Sequence, residues 1–305
     1  MKNDYDIIFN FYNDYDYLKL CIKKINNQTI LANKLIFTDD GNIDKNLKNL
    51  IRKTLNKKIK LLFIKNSKNI GPEASIENAL KKISSKFFFI IAADDIIYKR
   101  FAEENIKILN KYPNAPFIFS NLIINNHINK KIYNINYYFL KKNYYNKEEV
   151  KNFFRQHQFK IYHNTVFFNS KICQKDNLLK KLYGRRADML NLLYLAFNFG
   201  FIYINKNLSS FSYRKGQWGK IMSDHYLIKE LLILKKYQRN FYKIFIETNM
   251  HFDLSIFSIP NLIKNNLIET INLTWIVRSI KFFLWKKLRF IIPHKILNIL
   301  FKIFN

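Results

Sequence analysis

The feature that most restricts the fold of this chain is the regular alternation of short apolar runs with helix-type segments over its first 125 residues. The runs are typical of β-strands, and each is followed by a segment of helical character. The predicted strands are 6–11, 34–38, 60–64, 87–92 and 116–124, and the predicted helices are 15–25, 44–55, 72–83 and 98–111. Because alternating strands and helices are typical of right-handed βαβ crossovers, we expect an α/β fold with a mostly parallel sheet.

Two local signals refine this prediction. The run Phe87–Ala92 (FFFIIA) is the most apolar of the series and is predicted to be a central strand, buried on both faces. Asp44 stands at the start of the second predicted helix, where an acidic residue is a favoured N-cap.

The pattern loosens after residue 125 and becomes helical after about residue 222. An aromatic, polar stretch from 137 to 145 is predicted to be a lid or a long loop. A strand at 165–168, a helix at 187–198 and strands at 201–205 and 208–213 follow it. We therefore expect an α/β domain over 1–215 and an α-helical C-terminal region over 216–305.

Composition excludes several classes of protein. The formal net charge is +30, but the excess of basic residues is spread over both halves of the chain, so we expect no specific nucleic-acid partner. Cys21 and Cys173 are too few for a disulfide framework or a cysteine-based zinc site, and we expect them to be buried thiols in a reducing compartment. Gly-rich phosphate loops are absent, which argues against a dinucleotide dehydrogenase and a nucleotide-hydrolysing motor.

Polar side chains follow the predicted strands at their carboxyl ends, where open α/β sheets bind ligands. Tyr12 follows the first strand, Asp39 the second, and the adjacent Asp94 and Asp95 follow the central one. A single Asp at such a place is commonly a turn former or a helix N-cap. Two adjacent carboxylates repel each other unless a cation lies with them, so the pair is either structural or a metal site.

Taken in order, several short segments resemble those of the family-2 glycosyltransferases, which have the GT-A fold. The resemblance covers about residues 5–215. The matching segments are Phe11-Tyr12-Asn13, Asn27-Gln28-Thr29, Asp39-Asp40-Gly41-Asn42-Ile43-Asp44, Asn69-Ile70-Gly71, Ala93-Asp94-Asp95, Ala187-Asp188, Gly200 and Tyr213-Arg214.

The resemblance implies a role for each matching side chain. Tyr12 would stack against the nucleotide base, and Asp39 would accept a hydrogen bond from the edge of the base. Asp94 would lie near the ribose and the metal, and Asp95 would be the main ligand of a divalent cation, Mn²⁺ or Mg²⁺. Asp188 would be the general base that deprotonates the acceptor hydroxyl, in a direct displacement that inverts the anomeric carbon.

The sequence departs from the family pattern at several positions. Asn10 stands where the family has Pro, and Ala92 and Ala187 stand where acidic residues are common. Ile76 lies near the place of an expected Arg, and Lys215 follows Tyr213-Arg214 where a His is common. These departures leave open the third contact of the metal and the contacts to the diphosphate.

The segment 271–305 has seven basic residues and no acidic one. Its first part, 271–292, is predicted to be a basic amphipathic helix with Trp and Phe, a type that lies on anionic membrane surfaces. The alternative is a helix packed against the α/β domain or against a second copy of the chain. No segment reaches the roughly 18–20 apolar residues needed to span a membrane.

Together these features predict a cytoplasmic glycosyltransferase at the inner face of the plasma membrane. We expect it to move a sugar from a nucleotide-sugar, with a UDP-sugar as the expected donor, to a hydroxyl of a lipid-linked or surface glycan such as lipopolysaccharide or capsule. One alternative is a sugar nucleotidyltransferase, although the usual Gly-rich loop with Arg is missing. The other is a basic membrane- or nucleic-acid-binding protein without activity, in which the Asp motifs are only turns.

Overall fold

The structure is a computed structural model that describes residues 4–44, 46–157, 160–175, 187–214, 224–248 and 258–271, together with residues 276 and 280. The chain divides into two compact units. The first comprises 1–150 and 159–218, and the second comprises 151–158 and 219–305. The expected domain boundary at residue 215 stays a prediction.

Strands and helices alternate strictly over residues 5–92 of the first unit and less regularly after that. The strands are β1 (Tyr5–Phe11), β2 (Lys34–Asp39), β3 (Lys60–Lys65), β4 (Phe87–Ala92), β5 (Asp95–Ile97), β6 (Phe117–Asn126), β7 (Lys131–Ile135), β8 (Tyr144–Tyr145), β9 (Phe167–Asn169) and β10 (Phe201–Tyr213). The helices up to β10 are α1 (Tyr15–Asn26), α2 (Leu47–Thr54), α3 (Pro72–Leu80), α4 (Phe101–Leu109), α5 (Lys147–Gln156), α6 (Ser170–Lys175) and α7 (Ala187–Phe199). A short 3₁₀ turn, His163–Thr165, precedes β9.

These strands form one sheet in the order β3-β2-β1-β4-β9-β6-β10-β5, with β7 paired to β6 and β8 paired to β10. The four strands from β3 to β4 are parallel, and β6 and β10 are parallel to each other. Because β9 is antiparallel to both β4 and β6, these two strands run in the same direction. The carboxyl ends of β1, β2, β4, β6 and β10 therefore lie at one edge of the sheet, and the predicted α/β fold is confirmed.

Aromatic side chains fill the core of this unit. Phe89 of β4 contacts Phe167 with ring centroids 5.6 Å apart and Phe101 of α4 at 5.1 Å. Phe37 of β2 stacks on Phe9 of β1 at 4.9 Å. The β4 side chains are nearly all buried, as the uninterrupted apolar run predicts for a strand covered on both faces. Cys21 and Cys173 are buried, as expected, and neither forms a disulfide.

The N-cap prediction for Asp44 is wrong. Helix α2 begins at Leu47 with Asn46 as its N-cap, and Asp44 lies before it. The Asp44 carboxylate accepts a hydrogen bond from the Asn46 N–H at 2.7 Å, an Asx-turn contact that forms a local bend instead of capping the helix.

Between residues 125 and 215 the structure contains more strand than the sequence predicts. The expected strands 201–205 and 208–213 are one strand, β10, with register shifts between Ile204 and Ser209. The exposed polar residues at that irregularity interrupt the apolar pattern without ending the pairing. The stretch 137–145, where a lid or long loop was expected, is mostly irregular and contains only the short β8, whereas the β6–β7 hairpin before it was not predicted.

The second unit is helical, as predicted for the region after residue 222. Besides the end of α5, its helices among the described residues are α8 (Asp224–Tyr237), α9 (Arg239–Glu247) and α10 (Ile259–Lys264), with a 3₁₀ turn at Ile268–Thr270. Glu269 joins two of these helices, because it pairs with Lys235 at 2.8 Å and accepts a hydrogen bond from the Tyr242 hydroxyl at 2.9 Å. In the described part of the chain, no helix combines the length and the hydrophobicity that crossing a bilayer requires.

Candidate active site

The carboxyl end of β1 forms a tight turn that leaves Tyr12 exposed. Asn13 has φ +56°, in the left-handed region that Asn tolerates, and its N–H donates to Oδ1 of Asn42 at 2.9 Å. The Tyr12 side chain is 45% exposed. An exposed aromatic ring on a fixed turn suits stacking against a planar ligand.

Asp39 is the last residue of β2 and is fully buried. Its Oδ1 accepts hydrogen bonds from the backbone N–H of Asn42 at 2.9 Å and from the Asn42 side-chain amide at 2.6 Å. Its Oδ2 accepts no hydrogen bond from the described residues, and the Lys65 ammonium lies 3.7 Å away. A buried carboxylate oxygen of this kind favours a ligand that donates a hydrogen bond to it.

The residues after Asp39 hold this turn in place. Asp40 accepts hydrogen bonds at Oδ1 from the Ile70 N–H at 3.0 Å and from the Asn66 amide at 2.9 Å. Gly41 has φ +85°, and a Cβ there would overlap the backbone of Lys68 and Asn69. The loop before α3 therefore packs directly against the turn that carries Asp39.

Asp95 is a buried carboxyl group at the start of β5. Its Oδ2 accepts a hydrogen bond from the Ala92 N–H at 3.0 Å, and its side chain lies close to that of Asp94. Burial and the negative charge of Asp94 raise the pKa of Asp95 to about 8, although the Ala92 N–H and the Asn164 amide lower it. A carboxyl group with this pKa is poorly stabilised as an anion until a cation joins it.

Arg214 supplies a positive charge next to this pair. Its guanidinium contacts Asp94 at 3.1 Å and Asp14 at 3.2 Å, and it lies 4.1 Å from the centre of the Tyr17 ring. Arg214 directly follows β10, so its contact with Asp94 joins the carboxyl ends of β10 and β4. The sequence places Arg214 in a family segment but assigns it no role.

Asp188 lies on a different element, in the first turn of α7, and is exposed. Its Oδ1 accepts a hydrogen bond from the Met189 N–H at 2.7 Å. His163 lies near it and lines the same small cavity, together with Phe88 and Asn191. Burial lowers the pKa of His163 more than the Asp188 charge raises it, which favours a neutral imidazole there.

His163 and Asn164 are site residues that sequence reasoning missed. The sequence assigns neither residue a role. Both lie in the 3₁₀ turn that precedes β9. This turn contacts β4, β6 and β10. No spacing signal marks them, because only the sheet order brings this turn to Asp95 and to Asp188.

The register shows how the predicted residues lie relative to one another. Asp39 is level with Phe11, and Ala92 is level with Asn10, so Tyr12, Asp39 and Asp94 follow three neighbouring strands at one edge. Two strand spacings separate β2 from β4, a distance of about 10 Å. Among the described residues, no group of three or more His, Cys, Asp or Glu side chains is placed to share a metal ion.

The Asp94–Asp95 pair nevertheless fits a divalent cation. Both donors are carboxylate oxygens, the ligand type that Mg²⁺ and Mn²⁺ prefer, and Mg²⁺ is commonly held by one or two carboxylates together with substrate phosphates and water. The raised pKa of Asp95 shows that positive charges and hydrogen-bond donors of the protein do not by themselves stabilise the ionised form of this buried carboxyl group.

This α/β sheet, with acidic residues and an exposed tyrosine at one carboxyl edge, is the arrangement expected of a nucleotide-sugar-dependent transferase. The model of the family "Glycosyl transferase family 2" matches residues 6–172, and the chain belongs to that family. The members of this family are glycosyltransferases. Enzymes of this family usually use a divalent cation.

Related proteins agree with this assignment. An uncharacterized glycosyltransferase, MJ1057 of Methanocaldococcus jannaschii, is 29% identical over 180 residues, which are 58% of this chain and 59% of that protein. The crystal structure of S. aureus TarS 1–349 in complex with UDP-GlcNAc superposes with a TM-score of 0.63 and 12% identity, over 91% of this chain and 84% of that one. A second TarS structure, in complex with UDP, has a TM-score of 0.62 with 12% identity, over 88% of this chain and 81% of that one. These structures confirm the GT-A fold.

Proposed function

We propose that this glycosyltransferase takes its sugar from a UDP-sugar and transfers it, with inversion, to a hydroxyl of a lipid-linked or surface glycan such as lipopolysaccharide or capsule. The main observation in support of a donor site is the Asp94–Asp95 pair at the carboxyl edge of the sheet, in which Asp95 is buried and Asp94 contacts Arg214. This edge combines negative side chains for a cation with a guanidinium for a phosphate. The TarS complexes with UDP-GlcNAc and UDP support a uridine nucleotide as the carrier.

Tyr12 and Asp39 are proposed to bind the base. The exposed ring of Tyr12 would stack on the base, and Oδ2 of Asp39, which accepts no hydrogen bond from the described residues, would accept one from an N–H on the edge of the base. Uracil presents such an N–H between two carbonyl groups. The Asn42 bonds hold the other oxygen of Asp39, so the acceptor atom is fixed before the donor arrives.

Asp95, with Asp94 beside it, is proposed to hold Mn²⁺ or Mg²⁺. Such a cation stabilises the charge that develops on a departing diphosphate. The Ala92 N–H orients the Asp95 carboxylate, and the Asn164 side chain lies near it. Arg214 neutralises part of the Asp94 charge and keeps its guanidinium at this edge, where a diphosphate needs hydrogen-bond donors.

Asp188 is proposed to be the general base. An alcohol is a weak nucleophile, so a carboxylate within hydrogen-bond reach must take its proton during the attack. Asp188 is exposed, which allows an acceptor to approach it, and His163 next to it is favoured in its neutral form. A neutral imidazole leaves the carboxylate free to act as a base.

Membership of family 2 argues against both alternative functions, a sugar nucleotidyltransferase and a binding protein without activity. The decisive measurement is a thermal-shift screen of UDP-, GDP- and CMP-sugars with and without Mn²⁺, since a bound ligand raises the melting temperature. We expect the largest shift from a UDP-sugar with Mn²⁺. If no nucleotide-sugar raises the melting temperature, the proposal is wrong.

Two variants make this screen specific. Asp95→Ala should remove the Mn²⁺-dependent part of the shift, whereas Asp16→Ala, which removes an exposed carboxylate from the first turn of α1, should leave it unchanged. An equal loss in both variants would show that the effect is one of net charge and not of the site.

We also propose that the enzyme works at the cytoplasmic face of the plasma membrane and that the segment 271–305 binds the anionic lipid there. The support is the sequence of this segment, which carries basic and aromatic residues without an acidic one. Nearly all of it lies outside the described residues.

A further inference from the structure

Side chains on four strands next to the candidate site line up in one row across the sheet. The register places Phe211 of β10 opposite Asp95 of β5 and level with Ile124 of β6. Ile124 in turn lies opposite Tyr133 of β7. The row therefore starts at the proposed metal ligand and crosses the sheet to the hairpin.

A second row lies beside the first, nearer the carboxyl edge. Tyr213 is level with Asn126, and Asn126 lies opposite Lys131. Partner residues on neighbouring strands point to the same face, and alternate residues along a strand share that face. One face of the sheet therefore carries Phe211, Ile124 and Tyr133 of the first row and Tyr213 of the second. We call these four residues, three of which are aromatic, the aromatic row.

The aromatic row reaches the surface. Phe211, Tyr213 and Ile124 are half-buried, and the Tyr133 side chain is 39% exposed. The Phe211 and Tyr213 rings meet edge to face with centroids 6.3 Å apart, and the Asn129 amide donates to the Tyr133 hydroxyl at 2.7 Å. Three strand spacings separate β5 from β7, so the surface extends about 14 Å from Asp95.

We propose that the aromatic row is a binding subsite for the glycan acceptor and that it takes an extended oligosaccharide and not a monosaccharide. This inference rests on the proposed function, because it names the class of acceptor for the same active site. Aromatic rings cover the apolar C–H face of a sugar ring, while the sugar hydroxyls stay in contact with water. A surface of this length accommodates more than one sugar ring, with the reacting end next to Asp95.

The polar residues of the second row favour a glycan over a lipid chain. Asn126 and Lys131 offer hydrogen-bond donors to hydroxyl groups at the rim of the row, whereas a lipid chain has no acceptor for these donors. The row also continues directly from the candidate catalytic centre, so an acceptor bound there is held beside the donor site.

The hairpin offers a matched pair of variants. Tyr133 and Ile132 are neighbours on the edge strand β7, and both are exposed, but they point to opposite faces of the sheet. Tyr133→Ala removes the aromatic ring at the end of the row. Ile132→Ala makes a comparable truncation outside the row, and Tyr133→Phe keeps the ring but loses the hydroxyl.

The test measures binding of the full-length chain, with UDP and Mn²⁺, to an array of immobilised oligosaccharides and their monosaccharide units. We expect wild type, Ile132→Ala and Tyr133→Phe to retain the same oligosaccharides and to bind monosaccharides weakly. Tyr133→Ala should lose affinity for the retained oligosaccharides about tenfold. The thermal shift with the UDP-sugar should be equal in all four proteins, which shows that each is folded.

Three results would overturn the inference: no retained oligosaccharide in wild type, equal losses in Tyr133→Ala and Ile132→Ala, or retention of monosaccharides as strongly as oligosaccharides. If instead Tyr133→Ala weakens binding only to vesicles that contain anionic lipid, the row is a membrane contact and the glycan subsite is wrong. Absence of any UDP-sugar shift in wild type would instead overturn the proposed function, so the two failures are distinguishable.

Discussion

Asp95 shows at the scale of one residue how a buried carboxyl group weakens the fold. Its burial and its closeness to Asp94 disfavour the charged form, and this raises its pKa to about 8 from the usual value of 3.8. In the unfolded chain the group ionises near pH 4. The folded state therefore binds the proton more tightly, and the stability that Asp95 costs grows between about pH 4 and pH 8.

This linkage predicts the stability of Asp95→Asn without metal. The amide is neutral at every pH, so the variant should have a higher melting temperature than wild type at pH 8.5. The increase should be about 3 °C for each kcal/mol by which the substitution raises the free energy of unfolding. The difference should shrink steadily as the pH falls toward 4, and scanning calorimetry at several pH values measures it. A constant difference across this range would contradict the assigned pKa.

Asp188→Asn tests the general base. We expect transfer to fall about 10²- to 10⁴-fold, because the amide cannot take the proton of the acceptor hydroxyl. The thermal shift with the UDP-sugar should remain, since Asp188 lies on α7 and is not among the residues proposed to bind the donor. Transfer is measured by release of UDP in the presence of acceptor.

Asp16→Asn is the matched control for Asp188→Asn, because it also removes an exposed carboxylate from the first turn of a helix. It changes the helix dipole interaction in the same way but lies outside the proposed base position. If both variants lose transfer equally, Asp188 is not the base.

At the scale of elements, the connection from β2 to α2 depends on one close approach of the backbone. Gly41 follows Asp39 and Asp40, and the loop before α3 packs against it so closely that a Cβ would overlap the Lys68 and Asn69 backbone. Gly71, at the start of α3, has nearly the same φ of +88°, but a Cβ there would meet only the flexible end of Glu73 at 3.4 Å.

The two glycines give a clean comparison. Gly71→Ala should cost about 1 kcal/mol, the strain of placing a side chain in the left-handed region. Gly41→Ala should cost roughly 3 kcal/mol, since overlap with backbone adds to the same strain. Urea unfolding measures both free energies, and equal costs would show that the loop yields without penalty.

At the scale of the whole molecule, the charge of +30 favours association with anionic surfaces. Removal of residues 271–305 should shift the protein from the membrane pellet to the supernatant when cells that express it are fractionated. High salt should release part of the full-length protein, because the attraction is electrostatic. If the shortened chain stays in the pellet, the proposed membrane segment is wrong.

The sequence by itself determined the α/β class of this protein and most of its first unit. The apolar runs of β1 to β4 and the helical periodicity between them are local signals, so their bounds agree with the prediction to within a few residues. One rule predicted the common edge of the sheet at which Tyr12, Asp39 and the Asp94–Asp95 pair lie, because the carboxyl ends of parallel strands meet at one edge.

Only the tertiary structure decided which other residues join that edge. Arg214 contacts Asp94 across 120 positions of the chain, and the 3₁₀ turn of His163 and Asn164 reaches Asp95 and Asp188 only because β9 inserts between β4 and β6. The aromatic row likewise depends on the register of β5, β10, β6 and β7. Pairing between distant segments is set by packing of the whole sheet, and periodicity within a segment carries no signal of its partner.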